Sequence, residues 1–126
     1  MMAYKDDACC LPRGLVDLIG YIASASGEDV GRALVLQAEA ARVVSFSPTV
    51  VDVDVPDRLP RARVANGPLP VGWALVERAG ENTGFCQVWV RDGFLIGVEQ
   101  SWFTDEPPAD WPSADMIELR DYGTTY

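Results

Sequence analysis

Two apolar runs, Phe85 to Arg91 and Phe94 to Phe103, are divided only by Asp92-Gly93. A two-residue connection between antiparallel strands requires positive φ at both central residues, and Asp-Gly tolerates it. The sequence therefore predicts a β-hairpin bending at Asp92-Gly93. An unbroken ladder pairs Arg91 with Phe94, Val90 with Leu95, Trp89 with Ile96 and Val88 with Gly97. Carried further, it sets Glu99 opposite Cys86. Both faces of this hairpin are apolar. It therefore belongs in the middle of a sheet with cover on both sides, or it contains a bulge that re-aims its residues.

The rest of the chain can be placed around that hairpin. Leu15, Leu18, Ile19 and Ile22 recur at the spacing of one helix face, and Pro12 suits a first helical turn. Ser26-Gly-Glu-Asp29 resembles a capping box opening a second helix, which runs to about Ala41 and buries Val30, Leu34, Ala38 and Ala41. Glu28 and Asp29 at its start and Arg42 at its end suit the helix dipole. The period then changes. Val43 to Phe46 is strand-like, Ser47-Pro48 is a turn, and Val51, Val53 and Val55 alternate with Asp52 and Asp54. Pro56 to Pro70 contains four prolines with Arg58, Arg61 and Arg63, which predicts a loop or an irregular edge. Gly72 to Arg78 reads as a strand and Gly80 to Gly84 as a turn. Pro107, Pro108 and Pro112 are expected to end the sheet, with one helical turn over Ser113 to Ile117. The expected architecture is α+β: an N-terminal helical pair packed on a mainly antiparallel meander of four to six strands, as one domain over 11–122 between a loose leader, 1–10, and a polar tail, 123–126.

Charge and cysteine usage narrow the functional classes. The 126 residues carry a net charge of -9, and from Asp92 onward eight acids stand against Arg120 alone. Nucleic acid needs clustered positive charge to release its counterions, and an anionic membrane surface repels this chain equally. An acidic end steers toward a basic protein partner; the plainer alternative is a solvated face. No histidine is present, which removes the commonest general base and imidazole metal ligands. Cys9, Cys10 and Cys86 are odd in number and form no C-x-x-C pair, which suits a reducing cytoplasm. Asp17 interrupts the Leu15–Ile22 run and Asp6 and Asp7 precede it, so a secretory signal is not expected. No metal, cofactor or phosphate-binding fingerprint is expected.

Several residues carry chemistry worth locating. Asp52-Val-Asp54 projects two carboxylates from one strand face, as a divalent metal site needs; a wetted strand face explains it as well. Glu99 within an apolar strand would serve as a base if a second carboxylate, Asp52 or Asp54, converged on it, which makes a hydrolase or transferase an alternative; a salt bridge to Arg78 or Arg42 is the structural counterpart. Cys86 reads as an inert core thiol. The stretch from Ser101 to Pro112 combines Trp102 and Trp111 with Asp105, Glu106, Asp110 and rigid prolines. Aromatics give interface area at little entropic cost, and carboxylates attract a cation. Glu99, Trp102, Asp105, Glu106, Asp110 and Trp111 are therefore the candidate binding residues; the alternative for the two tryptophans is packing of the chain end onto the sheet.

The hairpin from Val88 to Glu99, with Gly93, Leu95, Val98 and Glu99 in place, resembles small bacterial α+β proteins frequent in actinobacteria. Leu36-Gln37 and Ala41 to Val44 resemble that family's helix end and first strand. The family often has a cysteine-bearing turn where this chain has Ser45 and Ser47, so no thiol role carries over. The resemblance implies a small α+β unit and no particular activity. Function is therefore expected to be non-enzymatic protein binding through the acidic, aromatic C-terminal face. The first alternative is an immunity protein that neutralises a basic toxin. A homodimer is expected if the second apolar face of the hairpin lacks cover within one chain.

Overall fold

The computed structural model describes residues 10–121. Two antiparallel-packed features dominate it: a helical pair, and a seven-stranded sheet whose pairings are all antiparallel. The fold is α+β. Helix α1 spans Arg13–Ser24 and α2 spans Glu28–Ala40. The strands are β1 (Arg42–Phe46), β2 (Val50–Asp54), β3 (Gly67–Pro68), β4 (Trp73–Arg78), β5 (Glu81–Arg91), β6 (Phe94–Trp102) and β7 (Ile117–Arg120). They lie in the order β1-β2-β6-β5-β4-β7, with the short β3 also paired to β5.

The helices form where the apolar period predicts. Leu15, Leu18, Ile19 and Ile22 of α1, and Val30, Leu34 and Ala38 of α2, are all buried. They pack on one face of the sheet, against Val51 and Val53 of β2, Ala74 and Val76 of β4, Cys86, Val88 and Val90 of β5, and Leu95 and Val98 of β6. The capping expectation needs correction. Gly27, at φ 125°, occupies the N-cap position of α2 without a side-chain cap, and Ser26 precedes it. Glu28 and Asp29 instead bind Arg32 at 2.8 and 2.7 Å, and Arg42 belongs to β1. The leader 1–10 lies outside the described residues except for Cys10, which forms an isolated bridge to Arg42; the tail 123–126 lies outside them entirely.

The hairpin bends where Asp-Gly dictates, with φ 55° at Asp92 and 82° at Gly93. Arg91 opposes Phe94 and Val90 opposes Leu95, but a bulge follows between Trp89 and Val90. Trp89 then faces Gly97, Val88 faces Val98, and Glu99 faces Gln87 rather than Cys86. One extra residue on β6 switches everything beyond it to the opposite sheet face. Without the bulge, the Glu99 carboxylate would project into the helix-covered core beside Cys86. With it, Val98 takes the core position and Glu99 the outer face.

A single buried amide ties this hairpin to the helices. Gln37 of α2 is fully buried; its Nε2 donates to the carbonyls of Pro60 and Gly93, each at 2.9 Å, and its Oε1 accepts the Leu95 N–H at 2.7 Å. The Pro56–Pro70 loop is thereby drawn around the hairpin tip, where Ala62 N also donates to Gly93 O at 2.8 Å.

Other differences concern strand extent and pairing. The turn expected over Gly80 to Gly84 is a tighter one at Ala79-Gly80, with φ 52° and 80°, so β5 begins at Glu81. Beyond the prolines, a 3-10 turn over Ala114–Met116 leads into β7, which pairs with β4; the sheet does not end there. Only part of the sheet is a sequential meander, because β2 joins β6 and β4 joins β7.

Candidate functional site

The segment after β6 leaves the sheet and returns. Its start is held by the Phe103 N–H donating to Thr83 O at 2.9 Å. Its end is held more firmly. The Trp111 indole N–H donates to Ser47 O at 2.8 Å, and Gln100 Nε2 donates to Asp110 O at 3.2 Å and to Pro48 O at 2.9 Å. Arg78 donates to Asp110 O at 3.2 Å and approaches the Asp110 carboxylate at 3.4 Å. Gln100 occupies a core-facing position of β6, so its amide must find partners, and the returning loop supplies one of them. Pro107 and Pro108 stiffen the span between the two anchors.

This return encloses a cleft of about 500 Å³ lined by Arg78, Thr83, Gln100, Trp102 and the 104–110 loop, including Asp105, Glu106 and Asp110. Trp102 is 41% exposed and its neighbour Phe103 58%. Arg78 and Asp110 form a pair at the rim; with the Asp110 side chain 77% exposed it adds little stability. The cleft therefore presents an aromatic wall and carboxylates, and among the described residues no cation lies within ion-pair distance of Asp105 or Glu106. That composition suits a cationic side chain carrying an apolar stem, through charge and through the ring face.

Of the six candidates, four line this cleft: Trp102, Asp105, Glu106 and Asp110. Trp111 does not. It is half-buried, packs against the core and pins the loop to Ser47. Glu99 lies on the outer sheet face between Val50 and Gln87. Asp52 and Asp54 are exposed on that same face, and Asp52 accepts a hydrogen bond from Ser45 Oγ at 2.8 Å. None of these three carboxylates lines the cleft. Among the described residues no group of three or more Cys, Asp or Glu side chains is placed to hold a metal. Cys86 is buried, and burial pushes its thiol from an ordinary 9.0 up to about 12, with Arg78 pulling weakly the other way. A thiol so protonated is a poor nucleophile.

Thr83 and Gln100 are not singled out by the sequence, and Arg78 is named there only as a salt-bridge partner for Glu99, whereas the structure pairs it with Asp110. Gln100 carried a readable signal: it is a polar residue in phase with Val98 on an apolar strand. Arg78 and Thr83 carried none, because only the pairing of β4 with β5 places them beside the loop. No helix among the described residues is long and apolar enough to cross a membrane. No family model matches the chain, and neither a curated protein nor a solved structure does.

Proposed function

We propose that this chain is a non-enzymatic protein-binding module that receives a basic segment of its partner in the cleft beside the 104–110 loop. The observation that carries this reading is the juxtaposition of exposed Trp102 with Asp105 and Glu106 around one cleft fastened at both ends. A prefastened loop loses little entropy on binding, and an aromatic anchor beside carboxylates matches an arginine or lysine side chain. The cysteine pattern, with the resemblance to small actinobacterial proteins, supports a bacterial cytoplasm as the compartment in this reading. Immobilised chain should capture a basic protein from native lysate at low salt and release it as salt rises. Trp102→Ala and Asp105→Asn should each reduce capture while far-UV circular dichroism stays unchanged. A wild type that captures nothing at low salt ends the proposal.

The concentration of acids after Asp92 supports a second, narrower reading, in which the basic partner is a toxin neutralised by this chain. A toxin-like reading frame beside the gene is the expected finding. Its absence leaves the general binding reading standing and removes this one.

A further inference from the structure

The sheet face away from the helices carries a small apolar cluster of its own. Ala74 and Val76 of β4 belong to the helix-covered core, so alternation turns Leu75, between them, to the opposite face. Leu75 is nevertheless only 2% exposed, and it lies outside that core. Nearby, Trp73 meets Phe85 edge-on at 5.2 Å, and Phe85 lies 5.9 Å from Phe103. Trp73, Leu75, Asn82, Phe103 and Arg120 line an apolar slot of about 330 Å³.

The last described residue lies beside this slot. Trp73 opposes Arg120 at the end of β7, and a Cβ on Gly72 would lie 3.0 Å from the Asp121 Cα, so Asp121 is pressed against the start of β4. The next five residues, Tyr122-Gly-Thr-Thr-Tyr126, hold two aromatics, a glycine that permits reversal, and no charge. We infer that segment 122–126 folds back over the outer sheet face and seats a tyrosine ring in this slot, against Trp73 and Phe103. Five residues reach up to roughly 16 Å. That exceeds the two ring-to-ring steps, 5.2 and 5.9 Å, across the cluster.

Charge and continuity favour this occupant over others. Glu118 holds the Arg120 guanidinium at 3.0 Å through two hydrogen bonds, so the rim is neutralised and suits an uncharged segment. Trp73 and Arg120 are both already engaged in further interactions, which a separate molecule would have to displace. A segment continuous with Arg120 loses no translational freedom on docking. A tyrosine also keeps its ring in the slot while its hydroxyl stays at the wet rim. The cover bears on the cleft too. Phe103 follows Trp102, and its N–H fixes the start of the 104–110 loop on Thr83 O, so a ring packed on Phe103 steadies that anchor whether or not the cleft takes a partner.

Nuclear magnetic resonance of the full chain tests this. Overhauser contacts should link ring protons of Tyr122 or Tyr126 to Trp73 or Phe103. Combining Tyr122→Ala with Tyr126→Ala should uncover the slot and raise the fluorescence of anilinonaphthalene sulfonate by about 3-fold or more, with far-UV circular dichroism unchanged. Should the double variant fail to fold, the wild-type Overhauser contacts decide alone. A wild type without any such contact overturns the proposal, and so does a folded double variant that binds the dye like wild type. Contacts seen only between differently labelled copies assign the slot to a second copy and overturn it as well.

Discussion

Replacing Gln37 by leucine removes the one amide that joins α2, the proline-rich loop and the hairpin tip. The side chain is fully buried and makes three hydrogen bonds. The three partners are not equally affected. Gly93 O retains the Ala62 N–H at 2.8 Å, so its loss is small. Pro60 O sits at a partly buried position and can turn to water. The Leu95 N–H is different: its bond to Oε1 is buried, and leucine offers no acceptor. An orphaned buried donor costs about 1–3 kcal/mol, a weakened carbonyl adds under about 1, and the shed amide desolvation returns part of this, leaving roughly 2 kcal/mol. With a urea m-value near ~1.5 kcal/mol/M for a chain this size, the midpoint should fall by about 1.3 M at unchanged m. Urea titration followed by tryptophan fluorescence and by circular dichroism measures it. A midpoint shift below about 0.3 M would show that the hairpin does not depend on this amide, and the account of how the helices hold the sheet would be wrong.

Three further outcomes follow from the same geometry. Gly93→Ala puts a Cβ at φ 82° and within 2.7 Å of Arg61 Cβ and 2.8 Å of Ala62 O, so it should cost about 1–3 kcal/mol in urea unfolding; a neutral result refutes the tight tip. The Cys86 thiol binds its proton more tightly folded than unfolded, so stability is intact below about pH 9 and declines as pH rises toward about 12, at about 1.4 kcal/mol per unit. Cys86→Ala should abolish that alkaline slope, and native protein at pH 8 should resist a thiol reagent that modifies Cys86 in urea. Trp111→Phe keeps the ring packing but loses the bond to Ser47 O, so it should cost about 1 kcal/mol of stability, and with Gln100 and Arg78 still holding Asp110 O it should weaken partner capture less than Trp102→Ala does.

Half of the candidate site is legible in the sequence. Trp102, Asp105, Glu106 and Asp110 are neighbours along the chain, so an aromatic, acidic, proline-stiffened stretch identifies them together. Trp111 belongs to the same stretch and has a different duty, because its indole reaches a carbonyl sixty-four positions away in sequence. Arg78 and Gln100 reach the cleft only through strand pairing and the return of the loop. An unbroken ladder puts Glu99 beside Cys86 on the covered face; the bulge at Trp89/Val90, the alternative that two apolar faces allow, moves it to Gln87 on the other.

Local chemistry alone determined the two helices, through their apolar period, and the hairpin bend, through the dihedral freedom of Asp92-Gly93. Such features are decided within a few residues, where neighbouring side chains and backbone strain outweigh anything distant. The joining of β2 to β6 and β4 to β7, the recruitment of the short β3 and β7, and the bulge that sends Glu99 outward were settled only on assembly. Pairings between segments far apart in the chain are selected by which arrangement buries Val51, Val88 and Val98 together beneath the helices, and no local pattern encodes that choice.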